Sequence, residues 1–198
     1  MSATAPSLEP VGTPFGPLYA RVMGSAWSEL AEPIRIIHSA GLELRAHGRL
    51  RIEHGRSPAA CLLAWMLRLP RPSAAADTHL VIRAGRDCED WLRTFDARRL
   101  ATRQYAGSGF ELVELFGLLE SRFRLVASQG SLLYVQRGAA FRLGPLRLRI
   151  PAPWAPRVDA REDPAGPARV EVHVCVTLPG FGPLITYHGF VHVNGTPA

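Results

Sequence analysis

From Arg169 to Leu178 the chain alternates at every step, with Val170, Val172, Val174, Val176 and Leu178 on one side and Arg169, Glu171, His173, Cys175 and Thr177 on the other. A period of two is that of a β-strand with two unlike faces. After Pro179-Gly180-Phe181-Gly182-Pro183 the alternation resumes, setting Ile185, Tyr187, Gly189, Val191 and Val193 against Leu184, Thr186, His188, Phe190 and His192. A slip of one residue would turn one apolar row to the wrong face. The register that keeps both rows together sets Val174 beside Tyr187 and His173 beside His188, with a two-residue Gly180-Phe181 loop of type II′.

Upstream, the pattern begins as helix. Leu18, Val22, Ala26 and Leu30 recur every four residues from Pro17, widened by Tyr19, Met23 and Trp27. Pro33 interrupts this helix, Ile34, Ile37 and His38 fit one further turn, and Gly41 ends it. Leu42 to Glu53 reads as a strand with a bulge near Gly48. Ser57-Pro58 then supplies a helix cap and a first-turn proline for Ala59 to Leu69, apolar nearly all round and so expected to be buried, or else a lid or a membrane-surface contact. Pro70 to Ala76 reads as a loop. Strands follow at His79 to Ala84, Trp91 to Phe95, Arg99 to Ala106, Phe110 to Phe116, Glu120 to Ala127, Ser131 to Leu143, Leu146 to Ile150 and Trp154 to Glu162, separated by glycine, proline and aspartate turns. The expected fold is mainly β, an α+β domain of about ten antiparallel strands in a barrel or strongly curved sheet, calycin-like, with two N-terminal helices.

Composition narrows the function. The 198 residues with 47% hydrophobic content suffice for one cored domain, expected over residues 15–198, behind a Ser-, Ala-, Thr- and Pro-rich leader, 1–14. The net charge of +6 comes from arginine alone, as lysine is absent. These arginines are spread rather than striped, so no nucleic-acid partner is expected. Without lysine no Schiff-base chemistry is possible. No apolar run approaches the roughly 20 residues of a transmembrane helix and no secretory signal is visible, so a cytoplasmic location is expected. Three cysteines, Cys61, Cys88 and Cys175, carry no paired spacing for a disulfide framework or a zinc site.

Several motifs stand in order along the chain: Leu18-Tyr19-Ala20-Arg21 with Gly24 and Leu30; Gly48 with Arg51; Leu69-Pro70; Trp91 with Arg93 and Phe95; Gly144-Pro145-Leu146; Pro156, Val158, Ala160 and Glu162; Leu178-Pro179 with Tyr187-His188-Gly189. In these the chain resembles the bacterial domain of unknown function family 4166, over about Pro17 to Val193. The resemblance implies a domain that occurs alone or with short-chain or saccharopine-dehydrogenase-like oxidoreductases. It carries no established catalytic residues. The chain lacks a Gly-x-Gly-x-x-Gly dinucleotide loop, so an oxidoreductase partner would be a separate polypeptide and no cofactor is expected.

Candidate chemistry is sparse. His188 and His192 share a face but stand roughly 13 Å apart along one strand, too far to share an ion, and no metal is expected. For acid–base catalysis the candidates are His173, His188 and Glu114, the last on a face with Phe110, Leu112 and Phe116. Trp91, Arg93, Phe95, Tyr134, Tyr187 and Trp65 are the candidate ligand-binding residues. No nucleophile elbow or phosphate loop is present. Three functions remain open: binding of a hydrophobic small molecule in a barrel pocket; cofactor-free isomerase, cyclase or hydratase chemistry on such a molecule in bacterial secondary metabolism; and docking as an accessory domain on an oxidoreductase.

Overall fold

The N-terminal helical stripe breaks earlier than its spacing suggests, because Gly24 takes a left-handed φ of 60°. The structure, a computed structural model, describes residues 16–193, and the leader expected over 1–14 lies outside them. Helix α1 (Leu18–Met23) gives way at Gly24 to a 3-10 segment (Gly24–Glu29), and α2 (Glu32–Ile37) starts with Pro33 in its first turn, where the missing N–H costs nothing.

The strands are β1 (Glu43–His54), β2 (Ser73–Ala84), β3 (Cys88–Phe95), β4 (Arg98–Ala106), β5 (Glu111–Phe116), β6 (Leu119–Ser128), β7 (Ser131–Leu143), β8 (Leu146–Ile150), β9 (Arg157–Pro164), β10 (Arg169–Leu178) and β11 (Gly182–Val193). All pair antiparallel in one sheet, ordered β6-β5-β4-β3-β2-β1-β11-β10-β9-β7-β8, and a further β6–β7 ladder closes it. The closed barrel therefore has ten strands, leaving β8 outside the ring. One half of β7 pairs with β9 through Leu132–Tyr134, and the other half pairs with β8 through Ala139–Leu143. Strand β8 is a flap continued from the wall.

The last hairpin keeps the expected register, Val174 opposite Tyr187 and His173 opposite His188. Its turn differs. A bulge between Val176 and Thr177 shifts the final pairs to Thr177–Pro183 and Leu178–Gly182, which leaves three residues, Pro179 to Phe181, in the loop. Gly180 and Gly182 both take positive φ, which glycine tolerates without steric cost. The bulge expected near Gly48 is also displaced, to between Leu50 and Ile52 opposite β2. Gly48 instead serves close packing: a Cβ there would stand 2.0 Å from the Phe190 carbonyl oxygen, so the β1 and β11 backbones approach where only hydrogen fits.

The two ends of the barrel differ. At one, α1 and α2 form a plug, with Tyr19, Ile34, Leu18, Val22 and Ile37 buried, and Ala31 N–H donates to the Gly130 carbonyl of the β6–β7 turn at 2.9 Å. Each such fully buried large side chain is worth about 1.5–3 kcal/mol. The opposite end carries the β3–β4, β5–β6 and β10–β11 turns and α3 (Pro58–Met66), which contacts mainly β1 and β11. Ser57 caps α3 by accepting from Ala60 N–H at 3.2 Å. The burial expected for α3 is half met: Ala60 and Ala64 are buried, while Leu62, Trp65 and Met66 are exposed.

Candidate functional site

Alternation along each strand decides what looks inward. The valine row of β10 and the Tyr187 row of β11 face the interior, with Leu50 of β1, Thr78 and Leu80 of β2, Trp91, Arg93 and Phe95 of β3, Gln104 of β4 and Glu114 of β5. Together with Phe123, Tyr134, Val158, Ala160 and Glu162 they line a cavity of about 100 Å³, floored by Ile37 of the plug. Engineered apolar cavities of roughly 150 Å³ admit a benzene ring. As it stands the space is smaller than that and takes one slender arm of a larger molecule.

The walls are not uniformly apolar. A chain of polar groups runs from the plug along one side. His38 Nε2 lies 2.8 Å from Glu162 Oε2, and the Tyr134 hydroxyl donates to Glu162 Oε1 at 2.9 Å. Tyr134 and Tyr19 hydroxyls are 3.1 Å apart, and Tyr19 donates to Gln104 Oε1 at 2.8 Å. Gln104 Nε2 donates to Glu114 Oε1 at 3.3 Å, Arg93 approaches the same carboxylate at 3.6 Å, and Arg93 also donates to Thr102 Oγ1 at 2.9 Å. Two tyrosine hydrogens serve three contacts along this chain. Whichever hydroxyl donates across the tyrosine pair gives up its other bond, so proton positions from Glu162 to Gln104 are coupled.

Electrostatics follow the same path. Burial alone would raise the Glu162 carboxyl, but the charge and hydrogen bond of His38, the Tyr134 hydroxyl and Arg93 outweigh it and hold it below its ordinary value. Burial, reinforced by the Glu162 charge, pushes the Tyr19 and Tyr134 hydroxyls well above theirs. Burial acts to lower Arg93, yet Tyr187, Glu114, Tyr19 and Tyr134 overcome it and keep the guanidinium charged. Burial raises Tyr187 against the pull of Arg93, and no hydrogen bond contributes to that shift. Deeper in, burial also raises Glu89, whose Oε2 accepts from Trp91 Nε1 at 3.1 Å.

A family model described as Domain of unknown function (DUF4166) matches residues 30–190. The chain belongs to that family. Comparison with curated proteins and with solved structures gave no match. The DUF4166 match begins twelve residues after α1 starts at Leu18, so Tyr19, which completes the polar chain, stands outside it.

Of the residues singled out in sequence, Trp91, Arg93, Phe95, Glu114, Tyr134 and Tyr187 meet on the cavity wall of this DUF4166 barrel, with the Phe95 and Tyr187 rings 5.6 Å apart. His173 and His188 do not join them. They pair on the outer face with ring centroids 6.3 Å apart, both exposed, because the valine row of their hairpin takes the interior. Trp65 is also away from the cavity wall, 76% exposed on the outer side of α3. Sequence reasoning passed over His38, Tyr19, Gln104 and Glu162. One signal was present for Glu162: it ends the row Val158, Ala160, Glu162, a carboxylate in line with inward apolar positions. Among the described residues no cluster of three or more His, Cys, Asp or Glu is arranged to hold a metal ion.

Proposed function

We propose that the protein binds a hydrophobic small molecule in the barrel cavity, its apolar body against the valine and leucine wall and one polar group at Tyr187 and Arg93. The observation that carries this reading is the Tyr187 hydroxyl. It belongs to an apolar, partly open lining and has no protein hydrogen bond contributing to its state, beside a guanidinium that Glu114 and Thr102 already orient. The hydroxyl is not sealed among protein atoms but lies on the lining of the cavity, where a carbonyl or carboxylate on a guest would supply a hydrogen-bond partner. The small volume favours a molecule that inserts one slender arm. Native mass spectrometry of the purified protein tests this: a co-purifying apolar mass is expected. A ligand-free chain with no affinity for fatty acid, polyprenoid or polyketide probes would reject it.

A second reading, cofactor-free isomerase, cyclase or hydratase chemistry on such a guest, has its own support. Glu114 and Arg93 stand 3.6 Å apart in the lining. A carboxylate can move a proton while a guanidinium and a hydroxyl hold negative charge developing on a neighbouring oxygen. His173 and His188 have no place in this scheme, since they face outward. Solvent deuterium appearing in a bound guest with the native protein, and not with Glu114→Gln, is the expected result. Equal exchange in both would remove Glu114 from the role.

A further inference from the structure

The barrel end opposite the plug carries exposed apolar side chains from segments far apart in sequence: Leu62, Trp65 and Met66 on α3, Leu146 on the β8 flap, Trp154 in the β8–β9 link and Phe181 at the β10–β11 turn, each more than half exposed. Antiparallel register brings these segments to one rim. His54 of β1 pairs with Ile185 of β11, Ser57 Oγ donates to the Phe181 carbonyl at 3.1 Å, Arg157 pairs with Thr177, and Arg142 N–H donates to Leu118 at the β5–β6 turn. The connecting segments between them hold Arg56, Arg68 and Arg71, none in an ion pair within the described residues. The connecting segments at this end hold one carboxylate, Asp96, and that accepts from the Asp77 N–H. The plugged end is balanced by contrast, with Arg21, Arg35 and Arg86 against Glu29, Glu32 and Asp87.

We propose that this rim docks on an anionic lipid bilayer surface. The chemistry favours a bilayer over a protein partner. Tryptophan, methionine and arginine are enriched at protein interfaces too, but there they pack into one continuous complementary patch whose core is depleted of charge. Here tryptophan and aliphatic tips stand on separate projecting segments with unpaired guanidiniums interleaved, the combination that inserts into the headgroup region while arginines meet lipid phosphates. Docking this way turns the uncovered end of the barrel towards the bilayer, where an apolar guest is most concentrated. The rim stands whether or not the cavity binds such a guest, and the two are tested apart.

Sedimentation with phosphatidylcholine vesicles containing about one-third phosphatidylglycerol tests it, with phosphatidylcholine alone as the reference. The native chain should sediment with the anionic vesicles and be released by high salt. Trp65→Glu with Trp154→Glu, and separately Arg56→Glu with Arg71→Glu, should each bind roughly tenfold more weakly at an unchanged melting temperature, since the side chains are exposed. Leu42→Glu with Phe110→Glu, exposed apolar residues of the plugged end, should bind as the native chain does. No binding to anionic vesicles at low salt, or equal binding by all variants, would overturn the proposal. So would a dimer or an oxidoreductase complex that the rim variants abolish while no vesicle binding occurs.

Discussion

Glu162 and Glu120 are both buried, at 8% and 0% exposure, on opposite faces of one barrel wall. Glu120 faces out, since its β5 partner is Leu115 while inward Glu114 pairs with Ser121. It is held by Arg122 at 2.9 Å, Arg147 at 2.7 Å and Arg142 at 3.3 Å, which tie the β8 flap to the barrel. Arginine stays charged throughout the working pH range, so this cluster has one protonation state to offer. Glu162 faces in and meets a histidine and a tyrosine, groups that can give or take a proton. Burial is common to both. The type of partner separates a staple from a network able to respond to a guest.

The largest expected effect is Glu162→Ala, a loss of about 3 kcal/mol in chemical denaturation, because His38 and the Tyr134 hydroxyl both lose a buried partner. Glu120→Ala should cost less, about 2 kcal/mol, since its arginines are partly exposed and can turn to water. A larger loss for Glu120→Ala would invert the comparison. Acid should act on both sites. The folded-state values of Glu162 and Glu120 are lowered, so their stabilisation is complete above the ordinary carboxylate value and is lost as pH falls through the lowered ones. Stability should therefore decline below about pH 4.5, and Glu120→Gln should remove only part of that decline. Glu89 has the opposite sign: raised by burial, its contribution is full below the ordinary value and lost as pH rises through the folded one. Glu89→Gln should raise stability at neutral pH relative to the native chain and lose that advantage near about pH 4. The smallest effect is expected from His173→Ala and His188→Ala, each within about 0.5 kcal/mol and without influence on a bound guest.

Strand alternation made most of the barrel readable. The β10–β11 register, the hairpins and the inward set Trp91, Arg93, Phe95, Glu114, Tyr134 and Tyr187 all follow from it. It cannot say which face is inside when both carry aromatic or titratable residues, and so His173 and His188 stood as candidates although their valine neighbours take the core. Turns and bulges escaped because a single inserted residue, as at Val176–Thr177, changes the loop without altering the hydrophobic pattern. The polar chain escaped for another reason. Tyr19 and Gln104 are 85 residues apart, and only closure of the barrel over the plug brings their side chains together. Half-exposure of α3 was not visible either, because an all-round apolar helix gives no sign of which side the barrel covers.

Filling the cavity tests the central claim most directly. Val172 lines it and packs against the core, and Val172→Phe should occupy the space at a cost of about 1–3 kcal/mol while the chain stays folded. Titrated with a fluorescent fatty-acid probe, the native protein should bind at one saturable site, and the filled variant should lose binding by about tenfold or more. Equal affinity in the two, with the variant shown folded by circular dichroism, would place the guest outside the barrel and contradict the assignment of the cavity.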